Sequence, residues 1–182
     1  MQKLISMRYL SPALRHSLTK RHILDQFFVK HLSLNADDAT MLHQKYYKEY
    51  GLAIEGLTRH HKIDPLEFNR EVDDALPLDN ILKPDPKLRS LLLDLDRSKV
   101  KPWLLTNAYV NHAKRVVKLL QVDDLFDGVT FCDYGQLPLI CKPSQDMYEK
   151  AEIEAGAPSS EQCYFVGMWL SLAVFYVALL LS

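Results

Sequence analysis

Short apolar segments separated by helix-like stretches constrain the fold of this chain more than any other feature. The segments are residues 103–106, 128–132 and 163–166, and apolar residues at helical spacing fill the intervals between them. Strands joined by helices of this length predict right-handed crossovers and a parallel sheet. Ligands of such sheets bind at the carboxyl ends of the strands, where Thr106 and Asn107 stand. We therefore predict an α/β, Rossmann-like fold with a binding site at that end of the sheet.

The first third of the chain is patterned differently. Between about residues 15 and 80, apolar positions recur at the spacing of a helix that buries one face. Gly51 is typical of a residue that ends a helix, and Asp64-Pro65 is typical of a residue pair that begins one. The pattern predicts a small all-helical unit before the sheet.

Composition narrows the class of protein. The chain has 182 residues, 48% of them hydrophobic, and a formal net charge of −1. That balance suits one globular domain and gives no footprint for nucleic-acid binding. The three cysteines Cys132, Cys141 and Cys163 have no CxxC spacing, which indicates a reducing compartment. We therefore expect a cytoplasmic or nuclear protein; the sequence does not indicate an oligomeric state.

Several stretches of the chain together are typical of one protein family. They are residues 46–54, 72–74, 76–78, 105–108, 125–128, 131–134 and 141–143. On these stretches the chain resembles the haloacid-dehalogenase-like hydrolases, and within them the fungal pyrimidine 5′-nucleotidases. The resemblance implies four parts: an N-terminal remnant (1–20), a helical cap (20–80), a partial Rossmann-like core (81–166) and an apolar tail (167–182).

The resemblance implies a chemistry. Members of the family hydrolyse phosphate monoesters with Mg²⁺, and this branch implies a pyrimidine nucleoside 5′-monophosphate as substrate. An aspartate attacks phosphorus, and a second aspartate protonates the leaving oxygen. Thr106 stands at the position of the hydroxyl that binds the phosphoryl oxygens, and Asn107 follows it. Lys142 stands at the position of the lysine that binds the same oxygens.

The carboxylates of that chemistry are missing from the sequence. Residues 1–22 contain no Asp or Glu, although the family's nucleophile precedes the cap. After Val166, where the family places acidic metal ligands, the chain has Gly167 and Met168. We therefore expect little or no turnover, predict no metal ligand, and do not expect this chain to bind Mg²⁺ as its family does. The alternative is a non-catalytic remnant that binds phosphate or a partner protein.

Two other motifs have simpler interpretations. Asp94 and Asp96 imitate the nucleophile motif, but only about four residues separate Ser98 from the next strand. A parallel crossover needs about a dozen, so we predict that both aspartates belong to a helix and its end. Residues 59–62 (Arg-His-His-Lys) could suggest a metal or phosphate site, but we interpret them as a solvated loop. Tyrosines 46, 47 and 50 either line a nucleoside pocket or pack.

The last 21 residues carry no charge, which leaves two interpretations open. Residues 168–181 could form a membrane anchor, although fourteen residues are few for a helix that spans a bilayer, which takes about 20. Otherwise the tail is foreign to the parent fold. In the family the nucleophile strand lies between the strand of Thr106 and the strand of Val166. We therefore expect a vacated slot in the sheet, and hypothesise that either the tail, around residues 172–179, or residues 4–7 could fill it.

Overall fold

The structure, a computed structural model, describes residues 12–157, 159–166 and 176–181, with side chains described from residue 18 to residue 164. Helices dominate the first half of the chain, and a four-stranded sheet with flanking helices forms the second half. The helices are α1 Pro12–Leu32, α2 Ala36–Tyr50, α3 Ala53–His61, α4 Pro65–Phe68, α5 Leu78–Ile81, α6 Pro86–Leu93, α7 Val110–Leu119 and α8 Gln145–Ala155. The strands are β1 Val100–Thr106, β2 Gly128–Phe131, β3 Cys163–Val166 and β4 Tyr176–Leu181; a π-helical turn covers Asn69–Asp73, and 3-10 turns cover Asp123–Leu125 and Ser160–Gln162.

Local sequence chemistry sets the ends of the first helices. The Asn35 side chain accepts a hydrogen bond from the Asp38 backbone N–H and caps α2. Gly51 ends α2 with φ of 74°, a left-handed conformation that favours glycine. Asp64 caps α4, and Pro65 occupies its first turn. The predicted helical unit and these predicted helix ends are confirmed.

The helical half has its own apolar core. Phe28 of α1 packs with Ile54 and Leu57 of α3, and all three are fully buried. The same cluster includes Cys132 and Cys141, which belong to the loops that follow β2 and precede α8. The helices therefore pack on the carboxyl end of the sheet, the end at which we predicted a binding site.

Strands β1 and β2 form the expected parallel pair. Trp103 pairs with Gly128, and Thr106 pairs with Phe131 at the carboxyl end. Helix α7 makes the crossover between the two strands. On β1, Leu105 is fully buried and packs against Met147 of α8. The predicted α/β sheet is confirmed in this part of the chain.

Strand β4 lies in the slot that we expected to be vacant. The strand order is β2-β1-β4-β3, and β4 runs antiparallel to both of its neighbours. Its residue Ala178 pairs with Trp103 on one side and Phe165 on the other. The hypothesis that the tail completes the sheet is therefore supported for Tyr176–Leu181; residues 167–175 and the alternative segment 4–7 lie outside the described residues.

The position of β4 also bears on the suggested membrane anchor. Six of the residues proposed for the anchor form an extended strand hydrogen-bonded on both sides, not part of a helix. Among the residues that the structure describes, no helix has both the length and the apolar character needed to cross a bilayer.

Candidate functional site

Thr106 stands at the carboxyl end of β1 and is 3% exposed. Its Oγ1 accepts a hydrogen bond of 3.1 Å from the Ala108 backbone N–H, which fixes the hydroxyl in the turn after the strand. That turn leads into α7, whose first residues receive no hydrogen bond from a capping side chain. The N–H groups at the start of a helix carry partial positive charge and attract anions. A hydroxyl donor and a helix N-terminus therefore share this end of the sheet.

Asn107 holds the backbone of Lys142 with both atoms of its amide. Its Nδ2 donates to the Lys142 carbonyl oxygen over 2.9 Å, and its Oδ1 accepts from the Lys142 N–H over 2.7 Å. The two residues are 35 positions apart in sequence. These two hydrogen bonds fix the segment before α8 against the end of β1. Two of the predicted site residues, Asn107 and Lys142, therefore meet directly, and Thr106 directly precedes Asn107 in the sequence.

The Lys142 ammonium lies in an unusual environment for a lysine. The residue is 6% exposed, and its Nζ donates to the Leu105 carbonyl oxygen over 3.2 Å. Burial disfavours the charged form and lowers the pKa of Lys142 to about 7, and the nearby Cys141 opposes that shift. The Lys142 ammonium is therefore buried near the end of β1, at the carbonyl oxygen of the residue before Thr106.

The end of helix α2 closes over the same segment. A Cβ atom at Gly51 would lie 2.8 Å from the Lys142 carbonyl oxygen and 2.9 Å from the Pro143 side chain. The absence of a side chain at Gly51 therefore permits close contact as well as the left-handed turn. Through this contact the helical half limits the positions that the Lys142 backbone can take.

A buried network behind Asn107 was not predicted. Tyr134 donates through its hydroxyl to the Asn107 carbonyl oxygen over 3.3 Å. Burial raises the pKa of Tyr134, and the negative charge of Asp73 raises it further. Asp73 is 1% exposed and forms an ion pair of 2.8 Å with Lys20 of α1. Tyr134 and Asp73 both stand in stretches that carry the family resemblance. No local signal in the sequence, however, pairs Asp73 with Lys20, which lies 53 residues earlier.

Comparison with known proteins agrees with this architecture. A family model described as haloacid dehalogenase-like hydrolase matches residues 8–167. The chain belongs to the haloacid dehalogenase-like hydrolases. It is also 42% identical, over 157 residues, to a curated yeast protein named "Phosphate metabolism protein 8", from Saccharomyces cerevisiae strain S288c. That match covers 82% of this chain and 49% of the yeast protein, so the chain spans about half the length of this relative.

Haloacid dehalogenase-like hydrolases generally depend on Mg²⁺, so the site was compared with what that ion needs. Mg²⁺ prefers carboxylate oxygens and water in octahedral geometry. The side chains at the strand end are a hydroxyl, an amide engaged with backbone, and an ammonium. The buried carboxylate behind them, Asp73, is paired with Lys20. This donor set fits an anion and does not fit a magnesium ion.

One group of side chains with metal-ligand spacing does occur among the described residues, away from the strand end. His31, Glu67 and Glu71 place one ligand atom each within 4.8 Å of the others in the helical half. Glu71 already pairs with Lys30 over 2.7 Å and with His31 over 2.9 Å. The sequence gives only a weak signal for this group. Glu67 and Glu71 are four residues apart, as on one helix face, but His31 stands 36 residues before Glu67.

The aspartates that imitate the nucleophile motif lie far from Thr106 along β1. Asp94 ends α6 and Asp96 is exposed in the following turn, so both lie at the amino end of β1, opposite Thr106. The prediction that they are not nucleophiles agrees with that position. Asp133 is a loop residue, and its Oδ1 accepts from the Gly135 N–H over 2.9 Å.

The predicted solvated loop at residues 59–62 is wrong. Arg59, His60 and His61 form the last turn of α3, and only Lys62 lies beyond it. The His61 ring nitrogen is 2.6 Å from the hydroxyl of Tyr46, and His60 is 2.9 Å from that of Tyr50. Two tyrosine–histidine pairs therefore join α2 to α3. Tyr46 is buried and packs, while Tyr47 is exposed.

Replacing Asn107 with alanine tests the amide that holds Lys142. We expect a loss of about 1–3 kcal/mol in the free energy of unfolding, because two hydrogen bonds disappear and two backbone groups lose partners. The measurement is urea denaturation followed by circular dichroism. Asn111→Ala, at an exposed position on α7, is the matched control and should change stability by less than about 0.5 kcal/mol. Equal losses in the two variants would contradict the role given to Asn107.

Proposed function

We propose that this chain binds phosphate monoesters at the carboxyl end of β1, and that its ligand is a pyrimidine nucleoside 5′-monophosphate. The observation that carries the proposal is the pair of hydrogen bonds between the Asn107 amide and the Lys142 backbone, together with the buried Lys142 ammonium, which donates to the carbonyl oxygen of Leu105, the residue before Thr106. Membership in a family of hydrolases that act on small phosphorylated compounds supports it. The name of the yeast relative ties that protein to phosphate metabolism.

Each group has a distinct part in binding. The Lys142 ammonium would donate charge-assisted hydrogen bonds to the phosphoryl oxygens, and the Thr106 hydroxyl would donate one more. The N-terminus of α7 adds partial positive charge from the same side. Asn107 makes no contact with the ligand in this proposal; it positions Lys142. The helical half, which meets the site at Gly51, would act as the cap over the nucleoside.

We also propose that these 182 residues hydrolyse the bound phosphate monoester little or not at all. Phosphoryl transfer to an enzyme carboxylate needs a carboxylate nucleophile and a positioned acid. No acidic residue stands in residues 1–22 or 162–182, the two stretches where the family's carboxylates would fall. Asp73, the buried carboxylate connected to Asn107 through Tyr134, is held by Lys20. The ligand would therefore be bound and released unchanged.

A paired assay tests binding and turnover separately. Purified chain is incubated with UMP, CMP and an aryl phosphate, with Mg²⁺ or with EDTA, and released phosphate is measured. Binding of UMP and inorganic phosphate is measured by calorimetry in EDTA. We expect binding that does not need Mg²⁺ and no turnover above background. Mg²⁺-dependent release of phosphate would overturn the proposal of little or no turnover and would make Asp73 the first residue to test as a catalytic carboxylate. Folded protein that binds neither compound would overturn the first.

A further inference from the structure

Two cysteines meet beside the proposed phosphate site. Cys132 is fully buried directly after β2, Cys141 is 5% exposed directly before Lys142, and both thiols are free. The two side chains belong to one cluster of buried residues, and each thiol shifts the pKa of the other. The third cysteine, Cys163, lies on β3, and its sulfur donates instead to the Ser159 carbonyl oxygen.

Backbone contacts independently place these two cysteines together. The Cys132 N–H donates to the Thr106 carbonyl oxygen over 3.2 Å, so Cys132 stands beside the end of β1. Cys141 precedes Lys142, whose N–H donates to Asn107, the residue that follows Thr106. Cys132 is thus bonded to Thr106, and Cys141 directly precedes a residue that is bonded to the side chain of Asn107. Nine positions separate them in sequence, so a bond between them would close a short loop.

We propose that Cys132 and Cys141 form a site of reversible disulfide modification, and that glutathione disulfide or a similar small disulfide is the oxidant. The proposal rests on the proposed function in one respect: closing the disulfide would loosen the phosphate site. The formation of the bond itself stands on the contact between the two thiols.

The reaction balances in two exchange steps. The Cys141 thiolate attacks one sulfur of glutathione disulfide, forms a mixed disulfide and expels glutathione thiolate, which takes up the proton that Cys141 lost. Cys132 then attacks the Cys141 sulfur, its proton passes to the second glutathione, and the intrachain bond closes. Two protein thiols are oxidised, and one glutathione disulfide is reduced to two glutathione molecules.

The surroundings favour Cys141 as the attacking sulfur. The hydrogen bond from Cys132 lowers the pKa of Cys141, and the positive charges of Arg59 and Lys142 lower it further. The pKa of Cys132 is raised by the same hydrogen bond and by burial, which suits the residue that attacks second. Since both thiols are buried, glutathione disulfide reaches Cys141 only when the segment opens locally.

Closing the bond should disturb Lys142 because little space surrounds it. A covalent bond draws the Cys141 sulfur closer to Cys132 than hydrogen-bond contact. Lys142 is the next residue, and its carbonyl oxygen lies 2.8 Å from the place of a Cβ at Gly51. We therefore expect the Lys142 backbone to move away from Asn107 and the ammonium to move away from the Leu105 carbonyl oxygen. We expect phosphate affinity to fall roughly tenfold, the effect of one charge-assisted hydrogen bond.

Peptide mapping after oxidation tests the bond without reference to phosphate. The full chain is incubated with glutathione disulfide at pH 7.5, free thiols are alkylated, and digested peptides are analysed by mass spectrometry. We expect a linked pair containing Cys132 and Cys141, which dithiothreitol separates. Cys163→Ser should still form it, while Cys132→Ala should stop at glutathione on Cys141. Alkylation of both Cys132 and Cys141 as free thiols, or linkage through Cys163, would overturn the proposal.

Phosphate calorimetry on the same samples tests the consequence for the site. Oxidised wild-type chain should bind inorganic phosphate about tenfold more weakly than reduced chain, and dithiothreitol should restore the affinity. Cys141→Ala, which lacks the attacking thiol, should keep its affinity when treated identically. A mapped disulfide with unchanged phosphate affinity would overturn the link to the site. If reduced chain binds no phosphate, the proposed function and that link both fail, and the mapping alone decides whether the bond forms.

Discussion

Replacing Lys142 with methionine is expected to weaken phosphate binding roughly 10- to 100-fold without unfolding the protein. A charge-assisted hydrogen bond is worth about 1.5–3 kcal/mol, which corresponds to that range of affinity. Methionine has a similar length and no charge to bury, so the cost of burying the ammonium disappears. The thermal midpoint should therefore stay the same or rise. Calorimetry with inorganic phosphate and a thermal scan measure the two effects.

A second lysine provides the matched control. Lys101 of β1 also donates through Nζ to a backbone carbonyl oxygen, that of Ala155, over 2.7 Å. It lies at the amino end of β1, opposite Thr106, so Lys101→Met removes one ammonium from the same strand and should leave phosphate affinity within about twofold. Equal losses of affinity in the two variants would indicate a general effect of net charge and would contradict the role of Lys142.

The lowered pKa of Lys142 gives this prediction a dependence on pH. With a pKa of about 7 in the folded chain, the ammonium loses its proton as pH rises through 7. Sulfate keeps its charge over this range, so its affinity should fall as pH goes from 6 to 8, by up to about tenfold per pH unit above 7. Lys142→Met should show a flat profile. A wild-type profile as flat as that of the variant would exclude Lys142 as the titrating ligand.

Folding stability should respond to the same group in the opposite direction. The pKa of Lys142 is lower in the folded chain than its ordinary value of 10.5, so the unfolded chain binds more protons between about pH 7 and 10.5. Stability from this group therefore rises with pH across that window and is constant below it. The variant lacks this contribution, which makes denaturation at two pH values a check on the burial of the charge.

The parts of the fold that local chemistry decides could be predicted from the sequence. Gly51 and Pro65 fix helix ends through backbone conformations that few other residues accept. The β1, α7 and β2 segments followed from apolar spacing. The meeting of Thr106, Asn107 and Lys142 did not follow from spacing. It came from the family resemblance, because the contact spans 35 positions and depends on the fold.

The errors have physical causes as well. Residues 59–61 look like a charged loop, but Ile54 and Leu57 one turn earlier bury the apolar face of α3 and extend the helix through them. The tail from residue 168 is apolar throughout and has no period that separates helix from strand. Only the unpaired edges of β1 and β3 decide that Tyr176–Leu181 is extended. Contacts of this kind join residues that are distant in sequence, so a local sequence pattern does not show them.

Replacing Ala178 with proline is expected to remove most or all of the stability of the sheet. Ala178 is central in β4 and pairs with Trp103 of β1 and Phe165 of β3. Proline has no N–H, so in a central strand it removes a ladder hydrogen bond, and it is found essentially only on edge strands or at bulges. Among the described residues β4 is the strand that holds β3 in the sheet. Since a domain is stable by only about 5–15 kcal/mol, the loss should produce aggregation or a low, broad transition.

Leu181→Pro is the control, because Leu181 is the last residue of β4 and pairs with Val100 at the end of the ladder. Its effect on the thermal midpoint and on urea denaturation should be much smaller than that of Ala178→Pro. Comparable stability in the two variants would show that β4 contributes little. It would also mean that the sheet of β1 and β2 stands without the strand inserted beside them. A large difference would show that β4 is the strand on which this sheet depends.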